Sequence, residues 1–223
     1  MAHPTWPLFD LEVRTPRLVL RYLDDATAVE LLDVALTDGV HDPGWMPFTI
    51  PWTDLEPPEL ARQAMQYWWR CRAATSPETW ELNLAVLVDG APAGITSIGA
   101  SDFGIVRTFQ TGSWLGRSFQ GRGIGTEMRA ATLHLGFAGF GAERATTSAF
   151  VDNAPSLGVT RRLGYAPNGT SIGIRREQPG EQLHFVLTRE AWAEHRRDDI
   201  EIVGLGGARD QLGIAAGDAD VVD

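Results

Sequence analysis

Apolar positions along the chain recur at two spacings, and these predict its elements. Arg17 to Tyr22 mixes apolar and charged residues, as a half-buried strand does, and Pro16 precedes it. Asp24 or Asp25 can cap a helix that continues to about Thr37, with Val29, Leu32 and Leu36 on one face. A second helix starts at Pro57-Pro58 and runs to about Ala73; its aromatic group (Tyr67, Trp68, Trp69) is expected in the core. Trp80 to Val88 and Pro92 to Ala100 flank Asp89-Gly90, a tight-turn signal, and so form a hairpin. Thr108 to Gly116 is a strand, Thr126 to Phe140 a helix, and Ala145 to Val151 a strand. Asn153 caps a short helix through Leu163 that tolerates Pro155 in its first turn. Tyr165 onward and His184 to Leu187 are two further strands, and Arg189 to Arg197 is helical. The order is strand, two helices, three strands, helix, strand, helix, two strands.

Between the first two helices lies a loop, Gly39 to Trp52, rich in Pro, Gly and aromatic residues. A loop with that much apolar surface packs against something or lines a pocket. No repeat or low-complexity block interrupts the pattern. Residues 1–205 are expected to form one domain, since 223 residues suffice for one well-buried core. Residues 206–223, acidic and rich in Gly and Ala, are expected to form a weakly ordered tail or a partner-contacting arm.

Gln120-Gly121-Arg122-Gly123-Ile124-Gly125-Thr126 carries the most chemistry. Three alternate glycines follow an apolar segment and open a helix. Glycine lets backbone N–H groups approach a ligand closely, and a helix N-terminus adds unpaired donors and partial positive charge. Together they make a phosphate cradle, with a plain glycine-rich turn as the structural alternative. A P-loop would need Gly-Lys-Ser/Thr, and all 19 basic residues of this chain are arginine. A Rossmann turn would need G-x-G-x-x-G after the first strand; here the spacing is G-x-G-x-G in mid-chain.

The formal charge of −10 disfavours nucleic acid and anionic membranes as partners. An anionic ligand must therefore be met by placed arginines, for which Arg122, Arg129, Arg161 and Arg162 are candidates, a solvated helix face being the alternative for each. No apolar run approaches membrane-span length, and the first residues lack a signal-peptide pattern. Cys71 is the only cysteine, which suits a reducing cytoplasm and a packing role. No Cys, His or Asp spacing indicates a metal site, and Gly-x-Ser-x-Gly is absent.

Gln120, Gly123 and Gly125 sit at the specified positions of Gln/Arg-x-x-Gly-x-Gly/Ala, and the cradle resembles the pyrophosphate motif of the GNAT superfamily of N-acyltransferases. A second block, Phe150-Val151-Asp152-Asn153-Ala154-Pro155-Ser156 followed by Arg161-Arg162-Leu163-Gly164-Tyr165, is similar to the family's later motif. The pair most resembles the RimJ/RimL branch. Within it, the segment from Asp42 to Thr53 resembles an actinobacterial and mycobacterial subgroup, which implies succinyl as an alternative to acetyl. The resemblance covers about Arg14 to Trp192. It implies an α/β GNAT fold: a mixed, mostly antiparallel twisted sheet of six to seven strands flanked by helices and splayed between the fourth and fifth strands.

The resemblance further implies acyl transfer from acetyl-CoA or succinyl-CoA to a primary amine, small or peptidic, by direct transfer in a ternary complex. Gly121, Arg122, Gly123, Ile124, Gly125 and Thr126 would hold the pyrophosphate, with Gln120 contributing side-chain contacts. Trp114 and Leu115 would pair with the pantetheine arm, and a backbone N–H near Trp114 would polarise the carbonyl. Asn153 would orient the pantetheine while also serving as a helix cap. Ser156 and Tyr165 are rival proton donors to the departing thiolate; a first-turn serine bonding its own backbone and a core aromatic are the plain alternatives. The base is open: the fourth strand has no carboxylate, and Asp102, Glu81 and His184 are candidates elsewhere. The loop His41 to Thr53 and the helix carrying Trp68, Trp69 and Arg70 are expected to line the acyl pocket. The branch makes a homodimer plausible. A catalytically idle CoA sensor, or an interaction module whose glycine turn binds nothing, are the rival readings.

Overall fold

The computed structural model describes residues 3–215. Its elements are β1 (Glu12–Arg14), β2 (Leu18–Tyr22), α1 (Asp25–Thr37), α2 (Pro57–Ala73), β3 (Thr79–Val88), β4 (Ala91–Ser101), α3 (Phe103–Val106), β5 (Thr108–Leu115), α4 (Ile124–His134), β6 (Arg144–Phe150), α5 (Ala154–Arg162), β7 (Ala166–Arg175), β8 (Gln178–Thr188), α6 (Arg189–Ala193), β9 (Glu201–Val203) and α7 (Leu205–Gln211). The strands form one nine-stranded sheet in the order β7-β8-β6-β5-β4-β3-β2-β1-β9. Seven of them are the strands the sequence predicts. The other two, β1 and β9, pair with each other at the far edge and span three residues each, too short to show a period of two.

Every described pairing is antiparallel except β5 with β6. That parallel ladder joins only Thr108–Gln110 to Arg144–Thr146. On its other edge β5 stays paired with β4 from Gln110 to Leu115. The sheet is thus split along β5 from Thr111 onward, and the backbone edge of residues 111–115 that faces β6 has no strand partner there.

One apolar core lies between the sheet and α4, built on Phe109, Phe137, Leu133 and Ala131. A second, smaller core lies under α1 and α2, around Leu31, Leu32, Trp68 and Ile95. Asp24 caps α1, its Oδ1 accepting the Thr27 N–H at 2.8 Å. The buried face of α1 differs from the expected one: it is Ala28, Leu31, Leu32 and Ala35, while Val29 and Leu36 point outward. In α2 only Trp68 of the aromatic group is buried; Trp69 is half-exposed and donates its indole N–H to Asp25 at 3.2 Å. The helix expected to end at Phe140 runs as α4 to His134 and widens into a π turn over Leu135–Gly139.

The expected C-terminal tail begins instead as α7. Ala208 and Leu212 are buried, and Gln211 Oε1 accepts the Leu8 N–H at 3.2 Å, tying this helix to the N-terminal turn. The rest of that tail, 216–223, lies outside the described residues.

Candidate active site

Gly121 and Gly123 both have positive φ, +70° and +79°, a backbone region that L side chains avoid. The chain needs these two glycines to turn sharply from β5 into α4. Gly125 has ordinary helical geometry; a Cβ there would meet only Leu115 and Val159 side chains at 3.8 and 3.9 Å. The first helical bond runs from the Glu127 N–H to the Gly123 carbonyl, so the N–H groups of Ile124, Gly125 and Thr126 precede it as unpaired donors. The Ile124 side chain is buried in the core. The Gln120 Nε2 donates to the carbonyls of Val40 and Leu115 at 2.7 and 2.8 Å, bracing the turn from within. Arg122 is exposed.

Glu127, in the first turn of α4, accepts from Thr15 Oγ1 at 2.6 Å and from Arg17 Nε at 2.7 Å. Burial works to raise its carboxyl, but those hydrogen bonds and the Arg17 charge outweigh it and hold the group below the usual carboxylate range. This pins the cradle helix to the turn before β2.

The cradle opens into a cleft of about 630 Å³ running along the split. Its walls include Gly112, Ser113, Trp114 and Leu115 of β5, Thr147 and Ser148 of β6, and Asn153, Ser156 and Arg162 at α5. Asn153 Oδ1 accepts the Ser156 N–H at 3.1 Å, so Asn153 is the helix cap and stands on the cleft wall as well. Ser156 also lines the cleft. Tyr165 is not among the lining residues; it belongs to the core, 5 % exposed, with its hydroxyl against Thr111 and Arg129. Burial pushes its phenol up, with the nearby Arg129 charge opposing.

Arg129 is 5 % exposed and also lines the cleft. Its guanidinium bridges the two strands just past the point where they part: Nη2 donates to Ser113 Oγ at 3.0 Å and Nη1 to Thr147 Oγ1 at 3.2 Å. The Thr147 hydroxyl itself donates to the Thr111 carbonyl at 3.3 Å. The strand period alone places Thr111 and Ser113 on the α4 face; the Arg129 bridge depends on tertiary placement and was not legible.

The loop 41–53 forms the roof. Trp45, Pro47, Phe48 and Thr49 line the cleft, and Phe48, Trp52 and Trp114 form a ring chain with centroids 5.7 and 5.6 Å apart. Trp68 and Trp69 do not line this cleft, and Arg70 lines a different cavity.

That second cavity, about 530 Å³, lies beneath α2 and is lined by Tyr67, Arg70, Cys71, Glu81, Gln110 and Thr146 among others. Glu81 accepts the Tyr67 hydroxyl at 2.7 Å and lies 3.8 Å from the Cys71 thiol. Burial raises both the Tyr67 phenol and the Cys71 thiol, and the Glu81 carboxylate beside the thiol raises it further, which disfavours a thiolate there. Gln110 and Thr146, the last paired residues of β5 and β6, line this cavity; Thr111 and Thr147, the next along each strand, line the cleft. Successive strand residues face opposite sides, and the cleft takes Thr111, Ser113 and Thr147 from one face and Gly112, Trp114 and Ser148 from the other, so it passes through the split and meets the second cavity on the α2 side.

Of the remaining base candidates, Asp102 is exposed at the start of α3 and His184 bonds Ser171 at 2.7 Å; neither lines the cleft. Among the described residues no carboxylate or histidine does. Among the described residues no cluster of His, Cys, Asp and Glu could hold a metal, and no helix is long and apolar enough to cross a membrane.

Several solved structures share the architecture. RimJ of Mycobacterium smegmatis, in complex with CoA-disulfide, superposes with a TM-score of 0.69 at 22 % identity, over 95 % of this chain and 98 % of that one. RimL, a ribosomal L7/L12 alpha-N-protein acetyltransferase in complex with coenzyme A, gives 0.64 at 19 %, over 79 % and 97 %. A GNAT-family acetyltransferase of Bacillus anthracis gives 0.61 at 16 %, over 80 % and 99 %. At these identities the likeness shows the fold. The sequence itself matches the family described as acetyltransferase (GNAT) domain over residues 17–166, which holds the cradle, both strands of the split and the Asn153 cap, and the chain therefore belongs to the GNAT acetyltransferase family.

Proposed function

We propose that the chain is an acyl-CoA-dependent N-acyltransferase that moves an acetyl group, or alternatively a succinyl group, from the thioester to a primary amine by direct transfer in a ternary complex. The observation that carries this reading is a cleft that runs from the glycine cradle through the split between β5 and β6 and meets a second cavity there; the reading gives one to each substrate. Cavities of about 530 and 630 Å³ fall within the roughly 300–1,000 Å³ of small-molecule sites.

In this reading the donors of Gly121 to Thr126 grip the pyrophosphate, and the open edge of Thr111 to Leu115 takes the pantetheine arm as an added strand. A β5 N–H on that edge polarises the acyl carbonyl. Asn153 orients the arm, and Ser156 on the wall protonates the leaving sulfur. The amine enters beneath α2, where Glu81 attracts it as a cation and relays its proton. RimL, whose acceptor is a protein N-terminus, supports a peptide acceptor here, with a small amine as the alternative. Succinyl would need a cation for its second carboxylate; Arg129 and Arg162 are those on the cleft wall. The edge strand β7 exposes Ile172 and Ile174, an apolar margin on which a second copy could dock. The reading places the chain in the cytoplasm, where Cys71 stays reduced.

The cleft wall, among the described residues, carries no carboxylate or histidine, which favours one rival, an idle CoA-binding sensor. Calorimetric titration with CoA, acetyl-CoA and succinyl-CoA, followed by a transfer assay on a peptide N-terminus and a panel of small amines, separates the readings. Binding with turnover supports the enzyme, binding with none of these acceptors acylated leaves the sensor, and absence of binding sinks both.

A further inference from the structure

A guanidinium buried without a counter-charge is costly, and proteins keep such groups where an anion meets them. Arg129 is in that position. Its partners are the two hydroxyls of Ser113 and Thr147, its Nε has no acceptor, and no carboxylate pairs with it among the described residues. Tyr165 and Thr111 lie beside it and, being neutral, bring no counter-charge. A buried guanidinium met only by neutral groups leaves an anion's place open on the cleft wall. The other cation on the cleft wall, Arg162, is exposed, and water screens it.

The guanidinium sits just past the point where the ladder opens, between Ser113 of β5 and Thr147 of β6, about one turn along α4 from Gly125. In the acyltransferase reading the pyrophosphate takes the backbone donors of the cradle. That leaves the charge formed during the reaction as the anion for Arg129. The geometry points to Arg129 as the group that receives the negative charge formed on sulfur when the thioester is cleaved. This rests on the acyltransferase reading. The cationic amine first gives one proton to Glu81 and on to solvent. Its lone pair then forms the C–N bond, the C–S bond breaks, and the electron pair of that bond stays on sulfur as a thiolate beside the guanidinium. The second nitrogen proton leaves to solvent, and the thiolate is afterwards protonated by way of Ser156, so the step needs no further reactant. Facing Arg129 from β5, β6 and the segment before β7 are Ser113, Thr111, Thr147 and Tyr165, of which only Tyr165 titrates. Ser113 and Thr147 are positioning residues for the guanidinium.

The test is the ionisation of CoA bound to the full chain, followed by thiolate absorbance near 240 nm against a complex with S-methyl-CoA, which has no thiol. An ordinary thiol ionises near pH 8.5; the bound thiol is expected to titrate at least one pH unit below free CoA in the same buffer, a tenfold gain in thiolate. Arg129→Met is expected to abolish that gain, to lower kcat by about 100-fold, and to leave the melting temperature of the ligand-free protein unchanged or raised, because an unpaired buried charge is gone. A merely structural arginine would instead give a lower melting temperature. Arg129→Lys, which keeps the cation, retains part of the thiol shift and covers the case in which the Met variant fails to fold. If wild type binds CoA but its thiol titrates as in water, the inference fails and the acyltransferase reading stands. Loss of succinyl-CoA binding in Arg129→Met with acetyl transfer intact would overturn it in favour of an acyl-carboxylate site. Failure of wild type to bind CoA would remove both.

Discussion

Arg175, the last residue of β7, holds Asp152 in a two-point ion pair, with Nη1 2.7 Å from Oδ1 and 3.0 Å from Oδ2. The same carboxylate accepts the Trp45 indole N–H at 3.3 Å, and the guanidinium stacks over Phe150 at 4.5 Å. One residue on, Arg176 pairs with Asp54 and donates to the Pro43 carbonyl. The β7–β8 hairpin thus straps the aromatic loop onto the cleft.

Breaking this strap should loosen the roof without unfolding the sheet. Both side chains are partly exposed, so solvent screening limits the pair to at most about 1 kcal/mol. Asp152→Ala is expected to raise the KM for acyl-CoA by about three- to fivefold and to hasten proteolysis within residues 41–53, with the melting temperature nearly unchanged. The Arg175 hydrogen bond holds Asp152 below the usual carboxylate range, so the strap is intact above about pH 4 and is lost only as pH falls through the lowered value. A strap mutant with wild-type KM and wild-type proteolysis would rule out this role.

The Glu127 anchor makes a stability prediction. Its folded value is lowered, so its contribution is fully present above the unfolded value near 4.3 and disappears as pH falls through the folded value. Glu127→Gln should cost about 1–3 kcal/mol at pH 7, measured by urea denaturation, and the gap from wild type should narrow in acid. A gap independent of pH would show that shape and not charge holds the cradle helix.

Gly125 gives the cleaner test of the cradle. Gly123 has φ +79°, so any side chain there strains the backbone whatever it does to the ligand. Gly125 has no such demand, and a Cβ fits in ordinary contact. Gly125→Val should project into the cleft, weaken CoA binding by about tenfold or more, and leave the melting temperature within a few degrees. Unchanged affinity by calorimetry would mean that the pyrophosphate does not lie here.

Much of this was legible because it is local. The Gly121 and Gly123 turn, the Asp24 and Asn153 caps and the Asp89-Gly90 hairpin depend on residues within a few positions of each other. The face of α1 was not legible. Ala28, Val29, Leu31, Leu32, Ala35 and Leu36 offer two overlapping apolar stripes, and packing beneath α2 chose the one through Leu31. The fold around residues 201–211 was hidden because β9 is three residues long and α7 is rich in glycine; both are held by distant contacts with β1 and the N-terminal turn. Arg129 appears in the sequence as one of four candidate cations, and only the convergence of β5, β6 and α4 shows that it is the buried one.

Glu81 should act on the acceptor and not on the donor, since it lines the cavity beneath α2 and not the cleft. Glu81→Gln is expected to raise the KM for a cationic amine by about tenfold while leaving the KM for acyl-CoA unchanged. The Tyr67 hydrogen bond survives the change, because a carboxamide oxygen still accepts it. An equal effect on both substrates would place Glu81 outside the acceptor path.

Ser156 and Tyr165 could not be ranked from sequence, and we propose Ser156 as the donor. It stands on the cleft wall with its backbone fixed by the Asn153 cap. Ser156→Ala should lower kcat by about 10- to 100-fold at unchanged acyl-CoA affinity. The Tyr165 hydroxyl lies in the core against Thr111 and Arg129 and does not line the cleft. Tyr165→Phe should change stability by no more than about 1 kcal/mol and should leave turnover within a few-fold of wild type. A large loss of kcat in Tyr165→Phe with Ser156→Ala near normal would reverse the assignment, making the phenol the donor and requiring the core around Arg129 to open during turnover.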